Sequence, residues 1–237
     1  ISIKSSDNII RNNTLLECEG VVALRHGDRN TVNDNLFIGN GRRNTGGIRV
    51  VNAGHQIYDN VLVGLAGTRF FSALGVMDAV PNSLPNRYCQ VVDVKMYRNT
   101  FVDCTNIEFG TGKDMERTLA PEKVSFTDNI IINKGLDQPY IAVDDVAGIQ
   151  FKDNKVQLAK NYSAPGFTTT MLRYVRIKAL PGLRTKWHTQ QRMFIRNTMC
   201  LRERTCPKSF IRQNRVASLF WRKAHILSNV LCSLTNR

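Results

Sequence analysis

The sequence has no C-x-x-C pair. Its six cysteines, Cys18, Cys89, Cys104, Cys200, Cys206 and Cys232, are scattered, and that spacing excludes a zinc ribbon. A domain of this size calls for no disulfide framework, so buried free thiols are expected at Cys18 and Cys104. No apolar run reaches the roughly 18 residues that a membrane-spanning helix needs. No signal peptide is visible, and the first residue is Ile rather than Met. The natural N-terminus is therefore expected further upstream. Amphipathic helical periods of useful length are also missing from residues 1–160, which argues against an α or α/β fold.

What is abundant is positive charge, and it is unevenly spread. The net charge is +14. Residues 161–237 hold fifteen Lys or Arg against one acid, Glu203, while residues 1–160 balance at eighteen of each. A protein that is basic throughout would suggest nucleic acid as partner; a neutral body with a basic final segment does not.

The neutral body is repetitive. A core of apolar-x-polar/aromatic-x-Asn-x-apolar recurs around Asn13, Asn35, Asn60, Asn99, Asn129 and Asn154, at intervals of 22, 25, 39, 30 and 25 residues. Strand-like alternation flanks each Asn. Short strands recurring at such intervals predict an all-β, right-handed parallel β-helix, one repeat per coil. Stacked coils would bring equivalent Asn side chains about 4.8 Å apart, close enough for a hydrogen-bonded ladder. The Asn is expected to adopt the αL turn geometry itself. Cys18 and Cys104 each follow their Asn by five residues and should be equivalent. The 39-residue interval must carry an inserted loop, including AVPNSLPNRY. A β-solenoid without chemistry has the same repeat, so the repeat speaks to fold alone.

After about residue 160 the repeat and the acids disappear together, which divides the chain into β-helix coils at 1–160 and a basic, non-repetitive segment at 161–237. Three readings fit the second segment: a tail that binds anionic polymer, a helical cap, or a frameshifted translation. The joint loss favours the third.

A second set of strands follows the Asn turns, reading VVALRHGD, GGIRVVN and TNIEFGTG. Their alignment puts Arg25, Arg49 and Glu108 at related outward positions. Lys4 precedes Arg25 by 21 residues, close to one coil, so the two should be vertical neighbours in a basic column beside a groove. Such a column suits a uronate polymer. Removing the C5 proton of a uronate builds negative charge beside a carboxylate, so a catalyst must neutralise that group, supply a base and protonate the leaving oxygen. Lysine serves as base when a nearby Arg lowers its pKa, and arginine stays charged to stabilise the enolate.

The segments ISIKSS, NNTLLECEGVVALRHGDRNTVNDN and GGIRVVNAGHQIYDN closely resemble polysaccharide lyase family 6, which contains alginate lyases and chondroitinase B. The resemblance runs from residue 1 to about residue 170. It implies a pectin-lyase-like solenoid with Lys4 as Brønsted base and Arg25 as acid or charge stabiliser. By the same resemblance His26 lines a substrate subsite, Arg117 binds substrate, and Arg49 and Arg69 are weaker substrate-binding candidates. The family binds Ca²⁺ through an Asn and two Glu that precede the lysine motif. Those ligands would fall upstream of Ile1, so the chain is expected to be N-terminally truncated, to hold no metal ligands of its own, and to be poorly active alone.

The resulting expectation is a lyase that cleaves an acidic polysaccharide by Ca²⁺-assisted β-elimination, alginate first and dermatan or chondroitin sulfate B next. The alternative is a non-catalytic, glycan-binding β-helix or an inactive lyase fragment. Asp144-Asp145 and Arg176-Ile177-Lys178 look like polygalacturonase signatures, but the N-T-D and G-H-G elements that should accompany them are missing. Nucleic acid is not expected as a partner, nor is a membrane span. Action on so large a polymer places the protein in the periplasm or outside the cell.

Overall fold

A computed structural model describes residues 1–171. These residues form a parallel β-helix with three faces. The first face stacks Ser2–Ile3, Gly20–Leu24, Thr45–Val50, Leu74–Met77, Ile107–Thr111 and Ile141–Ala142. The second stacks Ile9–Arg11, Thr31–Asn33, Gln56–Tyr58, Lys95–Tyr97, Val124–Thr127 and Ile149–Lys152. The third runs from Thr14–Leu16 through Leu36–Ile38, Val61–Val63, Thr100–Val102 and Ile130–Asn133 to Asn154–Leu158. It is closed by Phe167–Thr169, parallel to Asn154–Val156, and by Ser163–Ala164, antiparallel to its neighbour. The strands thus continue to Thr169, and a compact unit ends at Thr170. The expectations placed on the basic segment from residue 172 onward lie outside the described residues. No helix among the described residues is long and apolar enough to cross a membrane.

Alternating apolar positions turn inward because each strand points successive side chains to opposite faces. Val22, Leu24, Ile48, Val50, Leu74 and Val76 fill the interior from the first face, and Val32, Ile57 and Met96 fill it from the second. Towards the later coils the filling becomes aromatic. Phe109 meets Phe126 edge-on at 5.5 Å, and Tyr140 stacks on Phe151 at 4.9 Å.

The Asn ladder forms as predicted. Asn13, Asn35, Asn60, Asn99 and Asn129 each donate both the backbone N–H and Nδ2 to the Oδ1 of the next Asn, at 2.9–3.1 Å. Asn35, Asn60, Asn99, Asn129 and Asn154 are buried, so these bonds remove the cost of sinking an amide into the core.

The turn geometry corrects the expectation. The αL residue is not the ladder Asn but the one before it: Asn12, Asp34, Asp59, Arg98, Asp128 and Asp153 all have φ between 52° and 59°. The preceding residue makes the bend, and the Asn is left to point inward. A second, shorter ladder was not anticipated. Asn8 donates to Asn30 Oδ1 at 2.9 and 2.8 Å, and the Asn30 N–H donates to Nδ1 of the buried His55 at 3.0 Å. Nε2–H of His55 then donates to the Val51 carbonyl at 2.7 Å, and burial holds the ring's pKa down, keeping it neutral.

Cys18 and Cys104 are free and share one column, since Leu16, Ile38, Val63 and Val102 are in register two residues before it. Only Cys104 is buried, where burial pushes its thiol up to about 12. Cys18 is exposed, against expectation.

Candidate active site

The site is built on the first face. Ile3 pairs with Leu24, and the Arg25 and His26 N–H groups both donate to the Ile3 carbonyl, at 2.9 and 3.1 Å. Lys4 therefore stands beside Arg25 on adjacent coils, as predicted. The two motifs interlock beyond that pair. Gly27 has φ +81, and a Cβ there would lie 2.3 Å from the Ser5 carbonyl carbon, so only glycine lets the two turns touch. Ser6 Oγ accepts from the Asp28 N–H at 2.9 Å, and Arg29 grips Asp7 with two bonds of 2.9 Å. The K-S-S-D and R-H-G-D-R segments thus fix each other's register, and with it the Lys4–Arg25 pairing.

Arg49 lies two residues back from the row of Arg25. Its register partners are Ala23 and Gly75, and Gly75 pairs in turn with Glu108. Glu108 is not part of an open basic column. It is buried beneath the turn at Arg69–Phe71, where Oε1 accepts from the Arg69 N–H, Ser72 Oγ and Asn106 Nδ2 at 2.7–2.8 Å. That turn needs an acceptor for its exposed donors, and Glu108 supplies it. Arg69 is exposed, with its backbone N–H held by Glu108.

Two aromatic rings gather the remaining arginines. The Tyr88 ring carries the Arg25 guanidinium at 4.0 Å from its centroid and that of Arg117 at 5.2 Å. Phe70 lies 5.8 Å from Arg117 and 5.9 Å from Arg49. Tyr88 comes from the inserted loop in the 39-residue interval, which folds back across two coils. Pro85 of the same loop reaches His26, which is half-buried. Burial, then the charges of Arg25 and Lys4, hold the His26 pKa down, against that backbone contact. Lys4, Arg25, His26, Arg49 and Arg117 are thereby brought to one region; Tyr88 and Phe70 are the members that the sequence did not reveal.

Several arginines of the coils carry a carboxylate partner. Arg29, Arg42, Arg87 and Arg98 pair with Asp7, Glu17, Glu116 and Asp59 at 2.6–2.9 Å. Arg117 pairs with Asp114. Lys4, Arg25 and Arg49 form no ion pair among the described residues. Nη1 of Arg25 and Nε of Arg49 are buried without a hydrogen-bond partner, and burial holds the Arg49 pKa down. Buried guanidinium donors left open are costly unless an anion meets them.

Within reach of the Arg117 charge lies a carboxyl pair. Asp78 is fully buried and neither of its oxygens finds a donor. Burial, then the Asp144 carboxylate as hydrogen-bond partner and like charge, push Asp78 up to about 7, against the pull of Lys113 and Arg117. The absence of a donor and the raised pKa describe one situation: a proton on Asp78 supplies the bond that two ionised carboxylates cannot make. Asp144 stays ionised because Lys113 pairs with it. Asp78 is then protonated when folded and ionised when unfolded between pH about 3.8 and about 7, so its contribution to stability is lost as pH rises through that window. Asp78→Asn keeps a donor towards Asp144 at every pH. It is expected to stabilise the protein above pH 7 by roughly 2–4 kcal/mol and to change little near pH 4. Melting temperatures of both proteins across that range test this, and parallel curves would refute it.

Among the described residues no three His, Cys, Asp or Glu side chains converge as metal ligands do. The Asp78–Asp144 pair is already engaged by Lys113. These residues do not form a calcium cage.

The chondroitinase B family matches residues 1–178. Two solved structures of the polysaccharide lyase family 6 alginate lyase AlyGC, one of them a point variant, are similar to this chain. They share 44% and 42% identity with it, at TM-scores of 0.71 and 0.69, each covering 74% of this chain and 24% of theirs. A mannuronic acid specific family 6 lyase from human gut microbiota shares 25% identity at TM-score 0.58, over 70% of this chain and 39% of its own. No curated protein sequence matches. The chain thus spans about a quarter of the length of the AlyGC structures.

Proposed function

From the premise that this chain belongs to the chondroitinase B family, within polysaccharide lyase family 6, we propose that it cleaves a uronate polymer by β-elimination, with alginate the preferred substrate. One observation carries the reading: the buried donors of Arg25 and Arg49 stand without a counter-anion beside the exposed Lys4. A polymer with a carboxylate on each sugar supplies that anion.

In the proposed reaction the Arg25 and Arg49 guanidinium groups bind and neutralise the carboxylate of the reacting uronate. Lys4, in its amine form, takes the C5 proton. The electron pair left behind becomes the C4=C5 double bond as the C4–O bond breaks. The departing oxygen receives a proton from the ammonium of Lys4 or from water, so protons balance. His26 and Arg117 bind neighbouring sugars, and Arg69 at the groove edge is the outermost contact. The Ca²⁺ that the family resemblance implies would be held by residues outside those described. So large a substrate places the activity in the periplasm or outside the cell.

The ultraviolet absorbance of the unsaturated product tests the proposal. It is followed on alginate, dermatan sulfate and polygalacturonate, with and without added Ca²⁺, using the protein as its natural host makes it. Growth of the signal on one polymer would establish β-elimination and name the substrate. Folded protein giving no signal on any of them would overturn the lyase reading in favour of a glycan-binding β-helix.

A further inference from the structure

Arg25 poses a positioning problem. A guanidinium that must meet a substrate carboxylate needs a fixed plane, yet a carboxylate partner of its own would occupy the fork that the substrate needs. Arg98 and Arg29 have such a partner, each held by two bonds of 2.9 Å, to Asp59 and to Asp7. Arg25 has no such pair among the described residues, and its Nη1 is buried and unbonded. What lies against it is the Tyr88 ring, 4.0 Å from its centroid.

We propose that Tyr88 is a positioning residue: its ring face, delivered by the inserted loop, orients the guanidinium group of Arg25 while leaving its edge free for an anionic sugar. A ring suits this task because it attracts a cation through its π face without neutralising it and without competing for the N–H donors. The loop anchors the residue from behind. The Val80 N–H donates to the Tyr88 carbonyl at 3.0 Å, and the Arg87 side chain pairs with Glu116 at 2.6 Å, tying the loop to the segment that carries Arg117. The ring thus reaches Arg25, on the second coil of the first face, from a loop tethered to the segment that carries Arg117.

The inference rests on the lyase reading, so its test uses turnover together with affinity for a short oligomannuronate measured by titration calorimetry. Tyr88→Phe keeps the ring face and should retain kcat within about threefold of the parent. Tyr88→Leu removes the face at similar volume and should lower kcat by tenfold or more, with a smaller change in KM, because a misplaced guanidinium costs most in the transition state. In an Arg25→Lys background Tyr88→Leu should have little further effect. Tyr88→Met is a second non-aromatic replacement should Leu destabilise the loop. A turning-over parent with equal kcat in the Phe and Leu variants would overturn the positioning role and leave the lyase reading standing. Equal losses in Phe and Leu would overturn it too, pointing to the hydroxyl. Where the parent makes no product, oligomannuronate affinity that falls about tenfold in Leu and holds in Phe would keep the positioning role and remove the lyase reading.

Discussion

Replacing Lys4 by alanine is expected to lower turnover by roughly a thousandfold, the usual range for removing a general base. Polymer affinity should fall by no more than about tenfold, since one exposed charge contributes on the order of 1 kcal/mol. The asymmetry arises from position. Lys4 is exposed and free of ion pairs among the described residues, so its removal disturbs little packing, while Ile3 and Ser6 keep their bonds to the Arg25 coil. Lys4→Arg sharpens the test. It preserves the charge and its field but cannot give up its proton near neutral pH. A base should therefore be lost as completely in Lys4→Arg as in Lys4→Ala, whereas a mere electrostatic contact should be retained. Initial rates of unsaturated-product formation and an independent binding isotherm measure the two effects. Turnover above a tenth of the parent in either variant would remove Lys4 from the role of base.

Asn99→Ala should destabilise the β-helix by roughly 2–4 kcal/mol, a large share of the 5–15 kcal/mol typical of a folded domain. Asn99 is 1% exposed. Its Nδ2 donates to the Ile57 carbonyl at 2.9 Å, and its Oδ1 accepts from the Asn60 N–H at 3.1 Å and Asn60 Nδ2 at 3.0 Å. Alanine leaves a buried carbonyl and a buried N–H without their partners. Asn161→Ala, at an exposed position outside the ladder, should cost less than about 1 kcal/mol because water already meets its side chain. Denaturant midpoints of the two variants against the parent make the comparison, and equal shifts would contradict a ladder that draws its strength from burial.

The ladder shows what the sequence could and could not reveal. Six Asn at coil-length intervals were legible because the buried rung demands one side chain, with a donor and an acceptor at fixed reach, in every coil. The αL position just before it was not legible, since Asn12, Asp59 and Arg98 all adopt that geometry and no single residue type marks it. The His55 rung escaped notice because an imidazole replaces an amide, a substitution that only the position of its Nδ1 reveals. In the site, the Lys4–Arg25 pairing followed from one coil length. Arg49 and Glu108 shared a row as the strand alignment suggested, but the turn at Arg69–Phe71 that buries Glu108 has no period. Tyr88 and Asp78 were beyond reach for the same reason. Both sit in or beside a loop whose path depends on tertiary contacts rather than on any repeat.

The inserted loop has a consequence of another kind. Asn60 and Asn99 are 39 residues apart, yet their rung closes at 3.0 Å, as does the rung between Asn35 and Asn60 across 25 residues. Extra chain between strands therefore passes unnoticed by the frame. Each coil is a peg of constant pitch on which a loop of almost any length can hang, and loops hung on neighbouring pegs meet over the same stretch of surface. A lineage built this way can change the shape and charge of its groove by lengthening one connection at a time, without renegotiating its core. New specificities then arise by graft rather than by redesign.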